Sequence, residues 1–457
     1  MFGILLSVIL MIILAYRGVS VIILSPTLAL LAVLMGTDGS LLAHYTQIFM
    51  VKLGGFAVSY FPLFMLSAIF GKIVENTGGA KSIANYISNK IGQDNAILAV
   101  ILSCSVMTYG GVSLFVVVFT VYPIAAELFK KSGTPKRLMP GAIAVGAFTY
   151  TMTTIPGTPA IQNAIPSQYF GTDTFAAPGI SIIVSMILFV FCIAWMNYRR
   201  NEARLNNEGY GADDGVKSEE NQGNLPNFWV AVIPVFLVVI VSYVCAKHIF
   251  PHLDTSYLQS KKFGEVSLNA VVGNWSIIVA LFTAIIFIII TNLKRVKLIK
   301  CFNEGAADSL VPIFNTASVV GYGAIISGLS GFSAIRDSMM SIAPGDPVIS
   351  GAIATSILSG ITGSASGGLS ISLEMFGAEF LKMATTVGVS PEILHRVIAI
   401  ASGTLHALPH NGAFMSLLAI CGLTHRESYK DLCVVCLGGS VVALVAAIII
   451  NMLFGTF

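Results

Sequence analysis

Long apolar runs separated by short polar connectors occupy this chain from one end to the other. A membrane-spanning helix needs about 20 mostly apolar residues. Runs near 2–16, 18–36, 56–75, 138–166, 177–197, 228–249, 274–292, 312–334, 394–423 and 432–455 fit that pattern, the first being short. Two further runs, 96–129 and 347–381, are interrupted by glycine pairs, in TYGGVS at 108–113 and SASGGLS at 364–370. Each half of an interrupted run is too short to cross a bilayer. Each run therefore predicts a re-entrant hairpin that turns at its glycines. Non-helical backbone at membrane depth is tolerated only where protein or a water-filled cavity surrounds it. The pattern predicts an all-α polytopic membrane protein with about ten spanning helices and two re-entrant hairpins.

Composition agrees. The 457 residues are 55% hydrophobic and only 10% charged, against about 25% charged in soluble domains. The position of the charges matters more than the net +3. Basic residues cluster in four connectors: Lys130, Lys131, Lys136 and Arg137; Arg199, Arg200, Arg204 and Lys217; Lys294, Arg295, Lys297 and Lys300; Arg426 and Lys430. Placing all four in the cytoplasm satisfies the positive-inside rule and puts both termini outside. Lys261 and Lys262 are the exception. The polar stretch 199–226 reads as a solvated cytoplasmic linker. Seven scattered cysteines, including Cys433 and Cys436, read as small buried hydrophobes.

The order of elements then repeats. Residues 1–198 predict two spans, one span, a hairpin, a broken span and a final span, and 227–457 predict the same series. With the orientation above, one hairpin enters from the cytoplasm and the other from outside, so the halves form an inverted repeat. The break PGTP (156–159) in the first half corresponds to PHNG (409–412) in the second. Inverted repeats with broken helices are the architecture of secondary transporters, which bind substrate between the repeats.

Four breaks in apolar segments need a physical reason, because proline and glycine cost roughly 3 and 1 kcal/mol in a helix interior. Each break opens a new helix N-terminus, after Gly111, Pro159, Gly368 and Gly412. Such ends carry free N–H groups and about half a positive charge, and four of them together predict an anion site built without lysine or arginine. Small polar residues flank them. Thr108, Gly110, Gly111 and Ser113 form the first break. Thr154, Thr158, Gln162 and Asn163 flank the second. Ser364, Ser366, Gly367, Gly368 and Ser370 form the third, and Thr404, His406, His410, Asn411 and Gly412 the fourth. Such residues also permit close helix packing in membranes. Hydroxyls and amides suit a small organic anion that carries both a carboxylate and hydroxyl groups.

Titratable residues inside a membrane are expensive and point to function. Glu374, His406 and His410 are the coupling candidates. Glu374 is either a proton or cation carrier or a structural acceptor. Histidine titrates near neutral pH, which suits proton coupling. No nucleotide, nucleic-acid, metal or hydrolase motif is present, which predicts no enzyme, no cofactor and no resident metal. A channel or membrane-embedded enzyme is a remote alternative.

ASGTLHALPHNGAFMSLLAICGLTHRESYKDL (401–432) and GITGSASGGLSISLE (360–374) resemble the gluconate permease family, which includes permeases for gluconate, D-serine and 3-hydroxybutyrate. The resemblance spans the chain, with its specific motifs in the last third. It implies a bacterial inner-membrane symporter for small hydroxylated carboxylates, usually proton-driven. It also implies a homodimer with an elevator motion, in which 2–36 and 228–292 form a scaffold and 56–197 and 312–455 a transport domain. A sodium-coupled carboxylate, dicarboxylate or amino-acid transporter is the alternative. Many members read G-G-L-D where this chain has Gly403-Thr404-Leu405-His406, so the coupling ion stays open.

Overall fold

The computed structural model describes residues 2–36, 40–112, 114–211, 225–293, 295–341, 343–409 and 411–457. Among them the chain is helical throughout, with no strand. Among the described residues six helical segments are long and apolar enough to cross a membrane: Leu41–Asn76, Pro178–Leu205, Phe228–His252, Leu268–Thr291, Leu298–Gly328 and His425–Phe454. The first two apolar runs form helices of only 15 and 14 residues, α1 (Phe2–Tyr16) and α2 (Val21–Leu34). At 1.5 Å per residue each reaches only about 22 Å. The other two expected spans are broken, as their prolines predict.

The remaining helices follow in chain order. α3 is Met50–Asn76, α4 Gly79–Ile91, α5 Ala96–Tyr109, α6 Leu114–Ser132, α7 Met139–Phe148, α8 Ile161–Phe170 and α9 Pro178–Leu205. The second half gives α10 (Phe228–Val244), α11 (Leu268–Thr291), α12 (Leu298–Gly328), α13 (Phe332–Met340), α14 (Pro347–Thr362), α15 (Ala365–Val387), α16 (Pro391–Ser402), α17 (Gly412–Ile420), α18 (His425–Cys433) and α19 (Gly439–Phe454). α4 and α13 are absent from the hydropathy reading because each is a short polar-faced connector. α4 meets the segment 93–109 at 109°.

The packing is regular. α1 pairs with α2, α10 with α11, and α3 runs along α12. In the first half α5 lies against both α6 and α7, and in the second α14 lies against both α15 and α16. These are the two helical hairpins, each packed on the helix that precedes a break.

The hairpins turn differently. In the first, Gly110-Gly111 is the turn, and Gly111 sits at φ +87°, where only glycine is comfortable. In the second, the reversal is at Gly363 (φ +57°) and Ser364, not at Gly367-Gly368 as the glycine pair suggested. Ser364 caps α15 by accepting from the Gly367 N–H. Gly367 and Gly368 lie in the first turn of α15, and a β-carbon on Gly368 would overlap the backbone of Ser359 in α14. That glycine is there for close packing of two helices, not for a turn. The returning arm α15 is 23 residues long, so it is not a short half. It carries Glu374, Glu379 and Lys382 and is not uniformly apolar.

The polar stretch after residue 198 begins as helix, because α9 continues to Leu205. Asp431, 1% exposed, accepts from Arg199 Nε at 2.8 Å, Arg137 Nη1 at 3.1 Å and Trp195 Nε1 at 3.1 Å. Arg137 also forks onto Glu208 at 2.6 and 2.8 Å. The beginning of the expected linker is therefore anchored. Residues 212–224 lie outside the described residues.

Candidate functional site where the broken helices meet

Breaking a helix frees backbone carbonyls that must find other donors. In the break between α7 and α8, Tyr109 Oη donates to Pro156 O at 3.0 Å. Asn163 Nδ2 donates to Thr158 O at 3.0 Å and to Thr174 O at 2.9 Å. In the break between α16 and α17, Asn411 Nδ2 donates to His406 O at 2.9 Å. From α18, His425 Nε2 donates to Pro409 O at 3.1 Å and Tyr429 Oη to Ala407 O at 2.8 Å. The HRESY run is thus the support of the fourth break.

The breaks touch one another. A β-carbon on Gly111, at the first hairpin turn, would stand 2.9 Å from the Pro159 ring. Gly403 faces Thr153 so closely that a β-carbon would stand 3.1 Å from its methyl group, which joins the second and fourth breaks. Ser356 Oγ of the second hairpin donates to Ala401 O at 3.3 Å. Phe148, the last residue of α7, stacks on Phe414 at 4.9 Å, and Phe414 packs against His406 at 5.6 Å. The structure therefore brings the four segments together as a connected cluster.

Its side chains divide into committed and uncommitted groups. Asn163 uses its whole amide: two carbonyls accept from Nδ2, and Oδ1 accepts from Arg396 Nη1 at 2.9 Å. Ser370 donates to Ser366 O and Thr404 to Ala401 O, both local helix contacts. Thr154 and Thr158 are fully buried, and Gln162 is half-buried. Asn411 caps α17 by accepting from Ala413 N and Phe414 N. Ser366 lies 3.5 Å from Thr316 Oγ1 of α12. Gly412 is exposed.

The uncommitted groups are fewer. Thr108 Oγ1 and Ser359 Oγ are buried without a hydrogen-bond partner. Neither ring nitrogen of His406 makes a hydrogen bond of good geometry, although the residue is 2% exposed and the Gly403 backbone lies beside it. Buried polar atoms are paired in the great majority of cases, so these mark a place to look for a ligand. α8 starts without a side-chain cap, whereas α15 and α17 are capped by Ser364 and Asn411. Among these three helix starts α8 best retains the anion-binding character of a free N-terminus. Ser113 and His410 lie outside the described residues.

Glu374 is engaged elsewhere. It sits about 14 Å along α15 from the hairpin turn, at 1.5 Å per residue. Lys52 Nζ pairs with it at 2.7 Å and Tyr169 Oη donates to it at 3.2 Å. No group of three or more metal-ligating side chains occurs among the described residues.

Sequence reasoning overlooked His395 and Arg396. They lie at the outer boundary of a predicted span, where a basic residue usually reaches for the interface. Instead both are 0% exposed. The Thr172 hydroxyl lies 2.6 Å from His395 Nδ1, and His395 Nε2 faces Asn163 Oδ1 at 3.3 Å. The expectation of a site without arginine is corrected to that extent: a guanidinium stands directly behind the second break. Its signal was a charged pair at the head of an otherwise apolar HRVIAIAS run. Beside this cluster opens a cavity of about 490 Å³, lined by Thr172, Asp173, Lys247, Asn269, Ser390 and Glu392 among others. Lys247 pairs with Asp173 across it at 2.7 Å.

Residues 1–453 match the family described as GntP family permease. The chain belongs to this family. A Bacillus subtilis (strain 168) protein described as an uncharacterized transporter, YxjC, is 42% identical over 433 residues, covering 92% of each chain. A Haemophilus influenzae protein, also described as an uncharacterized transporter, is 26% identical over 187 residues, 41% of this chain and 42% of that one. The crystal structure of the Alcanivorax borkumensis YdaH transporter shares the fold at a TM-score of 0.55, with 15% identity, covering 92% of this chain and 90% of that one. The chain is thus a multi-pass membrane permease, as its motifs led one to expect.

Proposed function

We propose that this permease is a secondary active symporter that imports a small hydroxylated carboxylate, such as gluconate, lactate or 3-hydroxybutyrate, together with protons. The observation that carries the reading is that the uncapped α8 N-terminus and the buried, unpaired groups of Thr108 and His406 belong to breaks that touch one another, Gly111 against Pro159 and Gly403 against Thr153. A carboxylate suits the free N–H groups of α8. Thr108 and His406 are the groups left over for substrate hydroxyls, and the side chains of Thr158, Ser364, Ser366 and Asn411 surround the same breaks. His406, buried at the fourth break with neither ring nitrogen in a hydrogen bond of good geometry, is the side chain assigned to link substrate and proton. His410 is assigned to the same break on its sequence position.

The two halves, 1–198 and 227–457, follow one order of elements and are taken as an inverted repeat in the bacterial inner membrane. Residues 2–36 and 228–292 serve as the scaffold and the hairpins and broken helices as the moving body of a homodimeric elevator. One ion pair, Lys247–Asp173, then joins the parts and must open during transport.

Competition tests the substrate class. Uptake of labelled D-gluconate into vesicles is measured against unlabelled lactate, 3-hydroxybutyrate, D-serine, a dicarboxylate and 3-hydroxybutyramide. Hydroxy-monocarboxylates compete and the uncharged amide does not. Equal competition by the amide would remove the carboxylate from the reading.

A further inference from the structure

Arg396 is fully buried, and every hydrogen bond it makes goes to a neutral oxygen. Nε donates to Ala176 O at 3.2 Å. Nη1 donates to Thr153 O at 3.4 Å and Asn163 Oδ1 at 2.9 Å. Nη2 donates to Thr174 O at 3.2 Å and Ala176 O at 3.1 Å. These five contacts match the five N–H donors of a guanidinium, so none is left for a ligand.

The neighbouring carboxylates are occupied. Glu392 accepts from Ala177 N at 3.2 Å. Asp173 accepts from Phe175 N at 2.8 Å and pairs with Lys247 at 2.7 Å. Arg396 is therefore not one half of an ion pair. It acts as a rigid planar fork, a geometry that lysine cannot reproduce.

What the fork holds is specific. Thr153 is the last residue of the short helical turn before the second break, and Asn163 lies in the first turn of α8. Arg396 spans the break from one side to the other. It belongs to α16, which ends at the fourth break, so one side chain of the second half sets the shape of the break in the first.

We propose that Arg396 is a positioning residue: by bridging Thr153 and Asn163 it sets the direction of the α8 N-terminus, and thereby substrate affinity, without touching substrate. This rests on the proposed carboxylate site. A displacement of about 1 Å in a positioned group can cost on the order of a hundredfold in function, so the consequence is measurable as affinity.

The test is KM and maximal rate of uptake in proteoliposomes for Arg396→Gln, Arg396→Lys and Asn163→Ala. The substrate is the acid from the competition panel that the wild type carries. Thermal midpoints of the purified variants are measured in parallel. All three raise KM, Arg396→Gln by about tenfold or more, as expected for loss of hydrogen bonds from a charged group. Arg396→Lys does not restore the wild-type value, because charge without the fork is insufficient. Asn163→Ala removes one acceptor of Arg396 together with the Nδ2 bonds to Thr158 O and Thr174 O and leaves Arg396 with its carbonyls, so an unchanged KM in this variant decides against the inference even if the arginine variants fail to fold. A wild-type KM in folded Asn163→Ala or Arg396→Gln overturns the inference, as does full rescue by lysine. A wild type that carries none of the panel acids overturns the proposed function and this inference with it. A wild type that carries one while the variants keep its KM overturns the inference alone.

Discussion

The hydroxyl of Tyr429 donates to the carbonyl of Ala407 across 2.8 Å, so a helix beyond the fourth break satisfies a group that the break set free. Tyr429→Phe leaves that carbonyl without its donor at almost unchanged volume. An orphaned buried polar group costs about 1–3 kcal/mol. The thermal midpoint of the purified protein should fall, and uptake with it. An unchanged midpoint would show that water or another donor serves Ala407 equally well.

Glycines of the second hairpin make a sharper contrast. Gly368→Ala places a methyl group on the Ser359 backbone, which cannot retreat as a side-chain tip can, so α14 and α15 are forced apart. Folded protein yield, read by size-exclusion chromatography, should collapse. Gly412→Ala meets nothing within 4 Å and should fold as wild type. If Gly368→Ala yields wild-type amounts of folded protein, the arms are not packed as described.

His406 separates binding from stability. Its ring nitrogens make no hydrogen bond of good geometry, so His406→Phe removes no bond from the fold and relieves an unpaired polar group. The midpoint should hold or rise while concentrative uptake is lost. Uptake at the wild-type rate would exclude His406 from coupling and from substrate contact.

Beyond the end of α9 the Arg137 fork holds the Glu208 carboxyl below its ordinary value. A depressed carboxylate contributes stability that is present above its unfolded pKa and lost as pH falls through the folded one. The midpoint of wild type should therefore exceed that of Glu208→Gln by a constant margin above about pH 5, and the gap should close below about pH 4. A gap that does not narrow as pH falls below the ordinary carboxylate range would mean that the charge on Glu208 is not what Arg137 uses.

Much of this was legible in the chain because hydropathy and helix breakers act locally. The apolar runs, the prolines of PGTP and PHNG and the Gly110-Gly111 turn need no distant partner to be recognised. The second hairpin turn was misplaced by a few residues because a glycine pair has two uses. Gly110-Gly111 reverses the chain, whereas Gly368 admits Ser359 of the opposite arm, and only the fold distinguishes them. Arg396 was invisible for a related reason. Its acceptors lie more than 200 positions away, on Thr153, Asn163, Thr174 and Ala176, and a span boundary offers an ordinary explanation for any arginine. Asn163 seemed a substrate ligand from its place after the break, yet its amide is consumed by Thr158, Thr174 and Arg396.

Gradient-driven uptake tests the central claim most directly. Purified protein is placed in liposomes, and labelled gluconate, lactate and 3-hydroxybutyrate are offered under an imposed pH gradient, acid outside, with and without sodium. At least one acid should accumulate above its external concentration with saturable kinetics. Accumulation should collapse with a protonophore and be unaffected by a sodium gradient at equal pH. Accumulation that follows sodium and ignores pH, or flux that never exceeds equilibrium, would contradict a proton-coupled carboxylate symporter.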